Sequence, residues 1–117
     1  MLHSSLSPLQ PFLQKYPSSA PSLIQAYSDL LFTQHWTELT LLDLPVGRVA
    51  ISGHKPTEQG AKLVLPCSLD ESLSLHWLSQ VFAALGPQVP ELYLGIVSPD
   101  SSIVYYKISK GIVKPPM

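Results

Sequence analysis

The run Leu92-Tyr93-Leu94-Gly95-Ile96-Val97 constrains the fold more than any other stretch of this chain. It is too short for a buried helix, and both of its alternating faces are apolar. A strand with this pattern needs cover above and below, so it belongs in the middle of a sheet with other elements packed on each side. The five residues Ser98-Pro99-Asp100-Ser101-Ser102 then make a turn into a second strand, Ile103-Val104-Tyr105-Tyr106-Lys107-Ile108. With 117 residues the chain has room for one domain of this kind and not for two. Charged residues make up only 13% of it, against about 25% in an ordinary globular domain. A surface so poor in charge implies a patch that another protein covers.

The upstream residues supply the rest of the sheet and its cover. Residues 1–8 read as a flexible tail. Leu9, Phe12, Leu13 and Tyr16 fall at helical spacing and predict a short helix ending before Pro17. Ser18 or Ser19 then caps a second helix, with Pro21 in its first turn and Leu23, Tyr27, Leu30 and Leu31 on one stripe to about Gln34. Thr37 to Leu44 and Arg48 to Ser52 predict an antiparallel hairpin across Pro45-Val46-Gly47. Leu63-Val64-Leu65 is a third strand, closed by Pro66. Ser68 and Glu71 form a capping box for a helix carrying Leu69, Leu73, Trp77, Val81 and Leu85, which Gly86-Pro87 ends. Ile112 and Val113 could add an edge segment. The expected fold is α/β in the broad sense, or α+β: a mixed sheet with packed helices, as a single domain over residues 9–117.

Residue chemistry excludes more than it suggests. A net charge of −1 argues against a chain that grips nucleic acid alone, and Lys107, Lys110 and Lys114 read as a solvated edge. Cys67 is the single cysteine, which precludes an internal disulfide and suggests a reducing compartment. No apolar run approaches the ~20 residues of a membrane span. His3, His35, His54 and His76 are scattered, with His35 placed to cap the carbonyls of the second helix. No Cys or His pair stands at metal-ligand spacing, and the glycines form no phosphate-cradling loop. Asp70 and Glu71 are accounted for as helix N-terminal carboxylates. The expectation is therefore no catalytic residue, no metal and no cofactor.

The order of segments resembles the smallest structural subunit of the eukaryotic tRNA-splicing endonuclease. The likeness is carried by Ser98-Pro99-Asp100-Ser101-Ser102-Ile103-Val104-Tyr105-Tyr106-Lys107, with Trp36-Thr37-Glu38, Leu44-Pro45, Val64-Leu65-Pro66, Ser72-Leu73-Ser74 and Tyr27-Ser28-Asp29-Leu30 in support. It covers roughly residues 20 to 111. The resemblance implies a nuclease-like domain of the tRNA-intron endonuclease type, in a heterotetramer with two catalytic and two structural subunits. Catalytic members of that family use a tyrosine, a histidine and a lysine. Carried over, these positions fall near Leu65 or Pro66, near Ser72, and near Pro90 or Glu91, and the triad is missing.

What remains by resemblance is assembly. The final strand, Ile103, Val104, Tyr105, Tyr106, Lys107 and Ile108, would pair with the catalytic subunit for the 3′ splice site as a heterodimer. The turn Pro99, Asp100 and Ser101 would reach a subunit of the opposite pair through its one carboxylate. Precursor tRNA would be engaged indirectly, without membrane insertion. The compartment would be the nucleus, or the cytoplasmic face of mitochondria in some fungi. An alternative is a homodimeric adaptor unrelated to RNA cleavage, and an isolated chain could pair with itself through the same edge.

Overall fold

The computed structural model describes residues 4–44, 48–58, 60–69, 75–86 and 89–109. Its centre is a five-stranded sheet in the order β1-β2-β3-β4-β5. The strands are β1 Thr37–Leu44, β2 Arg48–His54, β3 Lys62–Ser68, β4 Glu91–Val97 and β5 Ile103–Ser109. All neighbours are antiparallel except β3 and β4, which are parallel and joined by a crossover containing α3, Leu75–Leu85. The expected mixed sheet with packed helices is the fold observed.

Each face of the sheet has its own core. On one face α2, Ala20–Ser28, brings Leu23, Ala26 and Tyr27 down on Val49, Ile51 and Val64. On the other, Leu78, Val81 and Phe82 of α3 pack with Ala50, Leu65, Cys67, Leu92 and Leu94. Burial on both sides explains the uninterrupted apolar run of β4. The lone thiol of Cys67 lies in the second core, where burial pushes its pKa up to about 11. It is kept neutral and unreactive.

Four readings from sequence need correcting. First, the expected tail of residues 1–8 is not loose from Ser4 onward. Ser4–Leu9 forms a 3-10 helix leading into α1, Gln10–Lys15, and Leu6 and Leu9 are buried in the first core. Secondly, Pro66 does not close β3 but lies inside it. Its carbonyl accepts from Arg48 Nη1 at 3.4 Å, so this residue's polar edge faces β2. The β2–β3 ladder stops at Val64, whereas pairing with β4 continues to Ser68, so the missing N–H costs no ladder bond. Thirdly, Ser68 ends a strand and Leu69 is a turn residue whose N–H donates to Val97 O at 2.9 Å. The rest of the capping box, including Asp70 and Glu71, and Leu73 lie outside the described residues, as do Pro45-Val46-Gly47, Pro87, Ile112 and Val113.

The fourth concerns the end of the second helix. After Ser28 the chain widens into a π-turn over Asp29–Thr33, and Gln34 N–H donates to Asp29 O at 2.8 Å. Trp36 N–H then reaches Leu30 O at 2.8 Å while His35 takes a left-handed φ of 60°. His35 thus ends the helix through its backbone conformation, not through its imidazole. This ending drops Trp36 into the first core beside Gly53 of β2. A Cβ on Gly53 would stand 2.5 Å from Leu39 Cδ2 and 3.1 Å from Trp36 Cε3. Gly53→Ala is expected to lower stability by about 1–3 kcal/mol through overpacking, read as a lower midpoint in urea unfolding with an unchanged slope.

Candidate partner-docking edge

The sheet has two margins, and the chain treats them differently. β1 is guarded. Its register with β2 slips between Thr37 and Thr40, where Glu38 has a φ of 54°, so the strand bulges. Asp43 near its far end is held by Lys15 Nζ and by Tyr16 OH, the latter at 2.5 Å, which ties α1 to that margin. Both partners hold the Asp43 carboxyl below the usual carboxylate range, the Lys15 hydrogen bond most of all. Bulges and inserted charges are the usual means of keeping an edge from pairing.

β5 is built differently. It runs in unbroken register against β4, from Val97↔Ile103 to Glu91↔Ser109, with no bulge and no proline. Its one charge, Lys107, turns back to Glu91 Oε2 at 3.2 Å, which holds the Lys107 pKa up. Among the described residues nothing pairs with its outer side.

Side-chain alternation divides the six expected interface residues in two. Ile103 and Tyr105 face the N-terminal helices and pack on the first core. Tyr105 lies against Gly95, where a Cβ would stand 3.3 Å from its Cε1. Its hydroxyl donates to Asp29 Oδ2 at 2.5 Å, and burial together with that carboxylate drives its pKa far up. Gln25 Nε2 adds a bond to Ser101 O at 2.9 Å, so the π-turn holds β5 and α2 holds the turn before it. Lys107 shares this side.

Val104, Tyr106 and Ile108 are on the opposite face, that of α3. There burial falls away across the sheet. Leu94 is 5% exposed, and its β5 neighbour Tyr106 is 53% exposed. Val104, beside Ile96, is 48% exposed, whereas Ile108 is partly covered. α3 covers the sheet as far as β4 and leaves two large apolar side chains on the margin uncovered. The sequence marks the whole strand and cannot choose between its faces, because both are apolar.

The turn before β5 is built by the residue expected to act in it. Asp100 Oδ1 accepts from Ser102 N at 3.1 Å and from Ser102 Oγ at 2.7 Å, which keeps the Asp100 carboxyl below its ordinary pKa. Ser101 adopts a φ of 72°, and Ser98 N–H closes the turn on Ser102 O at 2.9 Å. Pro99, Asp100 and Ser101 are all exposed.

The positions onto which the resemblance carries the triad can be placed in part. Leu65 and Pro66 are buried in β3, Glu91 is engaged with Lys107, and Ser72 lies outside the described residues. His54 ends β2 with Nε2 3.6 Å from Glu38 Oε2, and His76 is exposed on α3. Among the described residues no three His, Cys, Asp or Glu side chains gather as metal ligands.

A family model described as Sen15 protein matches residues 25–117. The chain belongs to the Sen15 family. The match takes in the end of α2, the π-turn, all five strands and α3, and leaves α1 outside. Of the curated proteins, one from Schizosaccharomyces pombe, named probable tRNA-splicing endonuclease subunit sen15, is 36% identical over 109 residues, 75% of this chain and 76% of that protein. Two named tRNA-splicing endonuclease subunit Sen15 are similar over 96 residues each, mouse at 29% and human at 30% identity. Each alignment takes in 76% of this Sen15 family member, but only 57% of the mouse protein and 56% of the human one.

Proposed function

We propose that this chain is a non-catalytic structural subunit of a tRNA-splicing endonuclease, and that it positions a catalytic subunit by lending it the β5 edge. The observation that carries this reading is the contrast between the margins: β1 is bulged, while β5 keeps unbroken register, has no strand on its outer side among the described residues and is flanked by exposed Val104 and Tyr106. A strand added there would satisfy the free N–H and C=O groups of β5, and its side chains would cover Val104 and Tyr106. The names of the relatives supply the RNA-processing context. Within a heterotetramer the Asp100 turn is the element that reaches the opposite pair, and the nucleus or the mitochondrial surface is the compartment. The catalytic triad is supplied by other subunits.

Co-expression with candidate catalytic splicing subunits tests this. The expected result is a stable complex that survives gel filtration with a subunit of the 3′-cutting type. Failure to form any such complex would overturn the reading. The alternative of a homodimeric adaptor rests on the same open edge and predicts the opposite competition: a self-paired dimer that added catalytic subunit does not break.

A further inference from the structure

Far from the Asp100 turn, at the other end of β5, three lysines converge on two carboxylates. Glu58 accepts from Lys55 Nζ at 3.3 Å through Oε2 and from Lys62 Nζ at 3.2 Å through Oε1. Glu91 accepts from Lys107 Nζ at 3.2 Å. Tyr93 sits among them. Lys55 Nζ lies 5.5 Å from its ring centroid, and Lys107 is its register partner on β5. Beside Lys55 opens a cavity of about 70 Å³ whose walls include the rings of Trp36, Tyr93 and Tyr105 and the amide of Gln34. Leu30 of the π-turn completes its lining. Among the described residues the other two basic side chains are elsewhere: Lys15 on Asp43, and Arg48 5.4 Å from the Trp77 ring centroid.

We propose that this corner docks a single-stranded segment of precursor RNA, with Lys55, Lys62 and Lys107 on its phosphates and one base edge over the aromatic cavity. The inference rests on the splicing-subunit reading for its ligand. Cations beside flat aromatic faces are the combination that holds an unpaired strand, since phosphates need point charges and bases need rings. The lysines are not locked away from it. Glu58 is 41% exposed and Lys55 and Lys62 are partly so, so a phosphate can reach both lysines in place of the carboxylate. An acidic peptide fits less well, because it would bring carboxylates to Glu58 and Glu91 without using the ring faces.

The test uses the assembled complex, with its catalytic subunits inactivated, and follows precursor-tRNA binding by fluorescence anisotropy across a salt series. Lys55→Gln with Lys107→Gln is expected to weaken binding and to make the dependence of log K on log salt shallower by about two. Glu58→Gln is expected to tighten binding, because it releases Lys55 and Lys62. Opposite signs from neighbouring substitutions cannot come from misfolding. Unchanged affinity and slope in both variants would overturn the proposal. So would a loss of subunit assembly in place of RNA binding, which would make the corner a protein contact. Should the wild-type chain join no complex, the splicing-subunit reading fails by itself. The isolated proteins titrated with a short unstructured RNA must then still show the same ranking for this site to stand.

Discussion

A chain carrying Tyr106→Asp is expected to fold normally and to lose its catalytic partner on co-expression. Tyr106 is 53% exposed beyond the reach of α3, so a carboxylate there stays in water in the isolated chain. Its change in stability should remain within about 0.5 kcal/mol, as for other surface substitutions. In a complex built on β5 the same position lies at the centre of the new contact. A buried, unpaired charge in place of a large aromatic anchor costs 2–4 kcal/mol or more, roughly a thirtyfold to thousandfold weaker association. Val104→Asp should behave alike, since Val104 occupies the next position on the same face. The pair of measurements is thermal unfolding of the isolated chain and pull-down of the catalytic subunit. Undiminished pull-down from both variants would place the interface elsewhere.

Much of this fold was legible in the sequence because its punctuation is local. Pro17, Gly86 and the turn from Ser98 to Ser102 break the chain where the hydrophobic period changes, and the helix and strand order follows from that. The errors arose where a tertiary contact decided the outcome. Leu6 looks like part of a tail until the core that it joins is known. Pro66 ends a strand in any local reading, and only the early stop of the β2 ladder lets it continue. The candidate edge could be named from sequence as a strand but not as a face. An alternation of Val104 and Tyr106 with Ile103 and Tyr105 has no polar side to mark the outside, and only the extent of α3 determines which pair is left uncovered. The basic corner was less legible still, because Lys55, Lys62 and Lys107 come from three separate elements.

The neighbouring residue is expected to give the reverse result. Tyr105→Asp should destabilise the isolated chain by about 2–4 kcal/mol, the range for losing a substantial part of a packed aromatic side chain. Three losses combine. The ring leaves its seat over Gly95, the hydroxyl bond to Asp29 disappears, and a second carboxylate arrives beside Asp29. The last of these depends on pH. Repulsion is at its fullest when the introduced carboxylate is ionised, and its protonation relieves it, so the deficit should shrink as the pH falls. Tyr105→Phe keeps the ring and loses only the hydroxyl. It also leaves Asp29 with the Gln34 amide, 3.3 Å away, as its remaining side-chain donor. About 1–3 kcal/mol is expected for that change, since the lost acceptor is a carboxylate. Chemical unfolding of the three proteins at neutral pH and again near pH 4 separates these contributions. If Tyr105→Asp were as stable as the parent at neutral pH, Tyr105 would not be the latch that holds β5 to the π-turn, and the division of this strand into an inner and an outer face would be wrong.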